Sequence, residues 1–231
     1  MLAVGARLPL LGQLRKRGRV TLPGTPINPD PERPRPRVLR RDEREAILER
    51  VMYEPTILCL CTGNAARSPM AQVLLADALS GANVRSAGTH VVEGQPVSWR
   101  TRLGLQVIRP DLTTRLNFHR SHQVNRHDVE ASDLVLCMAG EHVGYVRREF
   151  PQVAAKTATI RRLARDLEAG HLVSLPDRLA ELRLGQIGIE GWEDVDDPAG
   201  GDVEDFARCA QTLDGLVGQL AARLAMGRLQ L

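Results

Sequence analysis

A cysteine and an arginine separated by five residues, Cys61 and Arg67, form the part of the sequence best suited to chemistry. The intervening residues 62–66 follow an apolar run and precede a serine-proline pair. A loop of this length between a strand and a helix can wrap its backbone N–H groups around one tetrahedral oxyanion. The positive end of the helix dipole adds to that attraction and stabilises a thiolate. The segment therefore predicts a phosphate-binding loop with a nucleophilic sulfur at its base.

The flanking sequence agrees with such a strand–loop–helix unit. Residues 56–60 are apolar and partly β-branched, which is typical of a strand buried on both faces. Ser68 suits a helix N-cap and Pro69 the first helical position, and apolar residues then recur at helical spacing. Gly63 permits unusual backbone angles, and Asn64 tolerates the left-handed region. The alternative, a structural cysteine beside a surface arginine, leaves these features unexplained.

The chemistry assigns a role to each residue of the loop. Cys61 is the candidate nucleophile, and Arg67 offers a planar fork of donors to two phosphate oxygens. The hydroxyl group of Ser68 can donate to the thiolate. A route through a phosphoenzyme also needs an acid for the leaving group and then a base for water. The residues expected to bind phosphate are Thr62, Gly63, Asn64, Ala65, Ala66 and Ser68.

The run Cys-Thr-Gly-Asn-Ala-Ala-Arg-Ser-Pro-Met-Ala at residues 61–71 resembles the signature of the low-molecular-weight protein tyrosine phosphatases. That family shares its fold with the thioredoxin-coupled arsenate reductases. The resemblance runs from about residue 55 to residue 224. It implies that Asp197, directly before a proline, is the general acid, and that Ser86 and His119 support the loop.

Some residues depart from the pattern of that family. The family often has a second cysteine in the loop that protects the nucleophile as a disulfide, and Ala66 stands there. Aromatic residues that wall the substrate ring usually follow the Asp-Pro pair, but Ala199 does so here. Trp99 and Trp192 are the candidate replacements, and Trp99 is favoured. Phosphoarginine specificity usually comes with a threonine near Ala65, so phosphoarginine ranks low among the substrates.

The order of predicted elements indicates an α/β fold, a three-layer sandwich with a four-stranded parallel sheet flanked by helices. Ligands of such sheets bind at the carboxyl ends of the strands, where Cys61 is expected. Residues 172–192 have an irregular pattern. Strands are expected at residues 56–60, 83–86, 134–138 and 157–160, and helices at 42–52, 97–108, 141–150, 161–169 and 203–224.

Charge and proline content divide the chain into a basic arm, residues 1–41, and a phosphatase domain, residues 42–231. The arm holds ten basic and two acidic residues, a net charge of +8, so the rest carries −5 of the total of +3. Six prolines between residues 23 and 36 favour a disordered arm. A solvated tail is the preferred interpretation, and a contact with an acidic partner, lipid or nucleic acid is the alternative.

Four cysteines without regular spacing indicate a reducing, cytoplasmic environment. Cys59, Cys137 and Cys209 lie in apolar segments and are expected in the core. The chain has no apolar run near ~18 residues and no secretory pattern, so neither a membrane span nor a signal peptide is predicted. The histidines at 119, 122 and 127 lack the partners of a zinc set, so no metal or cofactor is expected.

These observations predict a cysteine-dependent phosphatase that hydrolyses phosphate monoesters, foremost protein phosphotyrosine, through a cysteinyl-phosphate. The expected partner is a phosphorylated protein, for example a tyrosine kinase, or a small phosphate ester. Specific nucleic-acid binding is not expected, and the sequence carries no signal for an oligomeric state. Two alternatives stay open: an arsenate reductase that uses an external small thiol, and a non-catalytic module that binds phosphoproteins.

Overall fold

The computed structural model of the protein describes Arg40, residues 55–170 and residues 173–224. The predicted arm, apart from Arg40, and the helix expected at residues 42–52 lie outside the described residues. The four strands pair in parallel in the order β2-β1-β3-β4. The sheet confirms the predicted fold class. Its strands are β1 (Thr56–Cys61), β2 (Asn83–Gly88), β3 (Leu134–Cys137) and β4 (Thr157–Thr159).

Helices follow the strands and cover both faces of the sheet. The α-helices of the described residues are α1 (Arg67–Ala78), α2 (Trp99–Ile108), α3 (Arg126–Glu130), α4 (Gly140–Glu149), α5 (Ile160–Asp166), α6 (Leu175–Glu181) and α7 (Val203–Leu224). Short 3₁₀ turns lie at Thr113–Phe118, Pro151–Lys156 and Gly191–Glu193.

Alternation along β1 divides the interior into two apolar layers, because successive side chains of a strand point to opposite faces. Ile57, Cys59 and Cys61 belong to a core with buried residues of α1 and α7. Leu58 and Leu60 belong to a second core with buried residues of α3 and α4. β1 is therefore buried on both sides, as its apolar sequence predicts, and its end is held firmly in the middle of the sheet.

The described part of the region expected to be irregular, residues 173–192, contains the helix α6, and a buried ion pair lies just after it. The hydroxyl group of Ser174 accepts from the N–H of Asp177 and caps α6. Directly after the region, Glu193 Oε2 accepts from Nε of Arg162 in α5 at 2.9 Å, and both side chains are almost fully buried. Removing one partner of such a pair would leave a buried charge uncompensated. The pair fixes the chain just before Asp197.

Among the residues described, no helix is both long and apolar enough to cross a membrane.

Candidate active site

Cys61 is the last residue of β1, and its sulfur lies at the base of the loop that follows. The sulfur is 2.9 Å from the hydroxyl oxygen of Ser68, and Cys61 is only 3% exposed. Asn64 Nδ2 donates to the same hydroxyl oxygen at 3.0 Å. Because that oxygen accepts from Asn64, the hydroxyl proton is left for the cysteine sulfur or for the carbonyl group of Ala87. A thiolate at Cys61 would therefore receive a hydrogen bond from Ser68.

The prediction that Ser68 is the N-cap of α1 is wrong. α1 begins two residues earlier than predicted, at Arg67, and its N-cap is Ala66, whose side chain makes no capping bond. Pro69 is accordingly the third helical residue and not the first. The hydroxyl group of Ser68 is engaged at Cys61 and Asn64 instead, so the local sequence indicated a cap where the folded chain uses the residue beside the sulfur.

The backbone N–H groups of residues 62–66 are unpaired. Within the described part of the chain, none of the five donates a hydrogen bond to a protein acceptor. Asn64 adopts the left-handed conformation, with φ 50°, and is fully buried. This is the conformation that its residue type was expected to tolerate. Five free donors at the start of a helix form the kind of cradle that binds a phosphate group.

Contacts from two other segments hold the loop from outside. His119 Nε2 lies 2.8 Å from the carbonyl oxygen of Asn64, and since a carbonyl only accepts, His119 donates. Burial lowers the pKa of His119, and the bond to Asn64 opposes that shift. The backbone N–H of His122 donates to Asn64 Oδ1 at 3.0 Å, and Thr101 Oγ1 donates to the carbonyl oxygen of Ala65 at 2.9 Å. His119 therefore contacts the backbone of the loop.

Ser86, the second residue implied as a support, holds α1 and not the loop. Its hydroxyl group donates to Gln72 Oε1 at 2.7 Å. In the parallel register Ser86 pairs with Cys59, two residues before the nucleophile, whereas Gly88 pairs with Cys61. The residue of β2 that lies beside the loop is therefore Gly88, which the sequence analysis did not select.

Gly88 has no room for a side chain. A Cβ atom there would lie 2.5 Å from the carbonyl oxygen of Thr62 and 2.9 Å from the backbone nitrogen of Asn64. Both neighbours are backbone atoms of the loop, which could only yield if the loop itself moved. The carbonyl oxygen of Gly88 accepts from the N–H of Val124, and its N–H donates to the carbonyl oxygen of His122. These bonds prevent the backbone of Gly88 from moving away from the loop.

We expect Gly88→Ala to lower kcat/KM for a phosphate ester by roughly 10²-fold, because displacing a positioned group by about 1 Å has effects of this size. Overpacking should also lower the free energy of unfolding by about 1–3 kcal/mol. Steady-state kinetics and urea denaturation measure the two effects. Gly144→Ala, where a Cβ atom meets open space, is the matched control and should keep full activity. Equal activity of both variants would refute the close packing around Gly88.

Arg67 is buried beside the loop and holds Asp197. Its guanidinium Nη2 donates to Thr62 Oγ1 at 3.2 Å and forms an ion pair with Asp197 Oδ2, while Nη1 donates to the carbonyl oxygen of Val195 at 3.3 Å. Asp197 Oδ1 accepts from the N–H of Ala199 at 3.0 Å. The Asp197 side chain is 44% exposed, so it lies at the mouth of the site. The folded chain thus joins residues that are 130 positions apart.

The segment that carries Asp197 is fixed to the sheet. The N–H of Val195 donates to the carbonyl oxygen of Met138, directly after β3, at 2.8 Å. Asp194 Oδ1 accepts from the N–H of Gly140 at the start of α4, also at close range, 2.7 Å. These bonds place the Asp-Pro pair next to the carboxyl end of the sheet, where the loop lies.

Thr62 and His142 form a network that the sequence analysis missed. Thr62 Oγ1 accepts from Arg67, lies 3.0 Å from His142 Nε2, and donates to Glu141 Oε1 at 3.1 Å. His142 Nδ1 accepts from the N–H of Ala139, so its proton is on Nε2 and points to Thr62. Burial, and then the charge of Arg67, lower the pKa of His142 to about 4. His142 is therefore neutral near pH 7, so its Nδ1 accepts from the N–H of Ala139 and its Nε2 donates to Thr62.

The remaining cysteines lie in the core, as expected. All four cysteines are free and buried. Burial raises the pKa of the Cys59 and Cys137 thiols strongly, and that of Cys209 to about 12. Desolvation thus keeps these three sulfurs protonated, and none is suited to act as a thiolate.

The described residues contain no cluster of three or more His, Cys, Asp or Glu side chains that could hold a metal ion. His122 bonds instead to Glu93 and Asp128, at 3.0 and 2.9 Å.

The two tryptophans proposed as aromatic walls of the site differ in position. The ring of Trp192 lies under Arg165, with 3.7 Å between the guanidinium carbon and the ring centroid. Trp99 is 60% exposed at the start of α2, the helix that contacts Ala65 through Thr101.

Comparison with known proteins agrees with this geometry. Residues 56–180 match the model of the family described as low molecular weight phosphotyrosine protein phosphatase. This chain therefore belongs to that family, whose members are cysteine-dependent phosphatases.

Individual relatives carry two kinds of name. A protein-arginine-phosphatase of Geobacillus stearothermophilus is 29% identical over 169 residues, which are 73% of this chain and 95% of the relative. A probable low molecular weight protein-tyrosine-phosphatase, EpsP, of Ralstonia solanacearum is 31% identical over 149 residues, 59% of this chain and 92% of the relative. The solved structure of the YwlE arginine phosphatase from G. stearothermophilus has a TM-score of 0.58 and 29% identity, covering 74% of this chain and 92% of that one.

Proposed function

We propose that this phosphatase uses Cys61 as nucleophile, Arg67 as phosphate ligand and Asp197 as general acid and base. The thiolate attacks phosphorus, the bond to the ester oxygen breaks, and the carboxylic acid of Asp197 gives its proton to the leaving oxygen. Water then attacks the cysteinyl-phosphate while the Asp197 carboxylate takes its proton. Inorganic phosphate leaves, and the thiolate is restored.

The observation that carries this proposal is the set of five unpaired N–H groups, residues 62–66, next to the sulfur of Cys61. Together with Arg67 they can hold the three equatorial oxygens of a transferring phosphoryl group. A substrate phosphate would compete with Asp197 for the guanidinium group, which frees the carboxyl group for the leaving oxygen. No metal is needed, because the cradle and the arginine supply the charge stabilisation.

Phosphotyrosine is the substrate class that we favour. Trp99 is exposed at the start of α2, the helix that contacts the loop through Thr101, and we assign it the contact with a phenol ring that aromatic residues after the Asp-Pro pair usually make. The relatives named as tyrosine phosphatases support this choice.

The four free thiols favour a reducing compartment, and we place the enzyme in the cytoplasm on that ground.

Phosphoarginine is the second candidate, because relatives named as arginine phosphatases align over most of the chain. The mouth of the site also carries exposed carboxylates, Glu141 and Asp196, which could face a guanidinium group. Ala65 argues against phosphoarginine as the substrate, since a threonine near this position usually accompanies phosphoarginine specificity.

Arsenate reduction by an internal relay of cysteines has little support, because Cys59, Cys137 and Cys209 are buried and protonated.

A rate panel tests the proposal. We expect kcat/KM to be at least about tenfold higher for a phosphotyrosine peptide than for the matched phosphoarginine peptide, and no arsenite release from arsenate with an added thiol. Trp99→Ala should remove most of that preference and leave an alkyl phosphate unaffected. A higher rate on phosphoarginine, or phosphopeptide binding without phosphate release, would overturn the assignment.

A further inference from the structure

A basic groove lies on the side of the molecule formed by α1, β2 and the 3₁₀ turn Thr113–Phe118. Its volume is about 300 Å³, and it is separate from the contacts that bind Arg67 and Asp197. Arg85, Arg115 and Arg120 line it, and no acidic residue does. A concave surface that carries charge of one sign attracts ligands of the opposite sign.

Two of these three guanidinium groups carry uncompensated charge. Arg115 is paired with Asp77 at 3.0 Å. Arg85 is exposed, and its side chain has no partner among the described residues. Arg120 donates only to main-chain carbonyl groups, those of Asn117 and His119, which are neutral. The groove therefore presents two free positive charges to solvent.

One wall of the groove also reaches the phosphate loop. His119 lines the groove, and the same ring donates to the carbonyl oxygen of Asn64. A chain bound in the groove would thus be one side chain away from the loop. Phe118, which is 88% exposed, also lines the groove and offers an apolar surface beside the arginines.

We propose that this groove binds an acidic stretch of the phosphoprotein substrate, a short run of Asp or Glu close in sequence to the phosphorylated residue. The two free guanidinium groups, Arg85 and Arg120, pair with its carboxylates, and Phe118 contacts a neighbouring apolar side chain. A peptide fits better than a small free anion, because the charges line an open groove with an apolar residue. This inference rests on the proposed function and adds a sequence preference to it.

The test compares two phosphotyrosine peptides that differ only in flanking residues, three Glu in one and three Gln in the other. For the wild-type protein we expect kcat/KM to be about tenfold higher for the Glu peptide, and the ratio to fall towards one as salt is raised. The double variant Arg85→Ala/Arg120→Ala should lose the ratio at low salt. It should still hydrolyse the Gln peptide and p-nitrophenyl phosphate at the wild-type rate.

Arg126→Ala/Arg148→Ala is the matched control, because it removes the same charge from exposed arginines outside the groove. It should keep the preference for the Glu peptide. Equal rates on both peptides in the wild type, or a preference that survives the groove variant, would overturn the groove proposal. If the wild-type protein hydrolysed neither peptide, the result would instead count against the proposed function. Fluorescence anisotropy would then measure binding of the same peptides to Cys61→Ser, with and without the groove substitutions. Tighter binding of the Glu peptide that the groove substitutions abolish would support the groove proposal, and equal binding of the two peptides would overturn it.

Discussion

Cys61→Ser is expected to abolish turnover of p-nitrophenyl phosphate, with a loss of at least roughly 10⁴-fold, because a serine hydroxyl is a weak nucleophile until a base removes its proton, and Asp197 serves as the acid in that step. The loop N–H groups and Arg67 are unchanged, so inorganic phosphate should still bind. Initial rates measure the first effect, and calorimetric titration with phosphate the second. Loss of both would indicate a misfolded loop and not a missing nucleophile.

Cys137→Ala is the control for this variant. Its side chain lies in the apolar layer on the opposite face of the sheet from Cys61. We expect it to keep its turnover while losing some stability, as a small cavity in the core would cause. Full activity in Cys61→Ser would dismiss the mechanism.

Asp197→Asn is expected to slow hydrolysis by roughly 10²–10⁴-fold, the range for loss of a general acid. An asparagine can still accept a hydrogen bond from Arg67, so the site should keep its shape. The loss should be greater for phenyl phosphate than for p-nitrophenyl phosphate, because the nitrophenolate ion leaves without needing a proton. Comparing kcat for these two substrates separates acid catalysis from a positional effect.

Asp196→Asn tests the choice between neighbouring aspartates. Asp196 is exposed, and no hydrogen bond joins it to Arg67 in the described structure, so its removal should change rates by less than about threefold. If Asp196→Asn showed the large, leaving-group-dependent loss and Asp197→Asn did not, the assignment of the acid would be wrong.

The sequence was sufficient to predict the parts of the site that depend on local geometry. The spacing of Cys61 and Arg67 fits a loop between a strand and a helix, and Asn64 has the left-handed conformation that its residue type tolerates. β1 and β3 were predicted because they are short and apolar, and β4 because it is β-branched, while the alternation with helices implied the parallel sheet. The assignment of Asp197 as the general acid rested on the resemblance to a family and not on the residues around it in the sequence.

Contacts between distant segments could not be predicted in the same way. Gly88 matters because β2 pairs with β1 in one register, and Ser86 misses the loop for the same reason. His142 reaches Thr62 only because α4 starts beside the loop after β3 ends. Glu193 gave no signal, since a glutamate in a polar stretch is ordinarily exposed, and only the fold brings it to Arg162.

The most direct test of the account is to trap the phosphoenzyme. Rapid acid quenching of the Asp197→Asn variant during turnover, followed by peptide mass spectrometry, should find one phosphate on the peptide that contains Cys61. The label should be absent from Cys61→Ala, which has no side-chain nucleophile at this position. Steady hydrolysis with no covalent phosphate, or phosphate on a different residue, would contradict the mechanism.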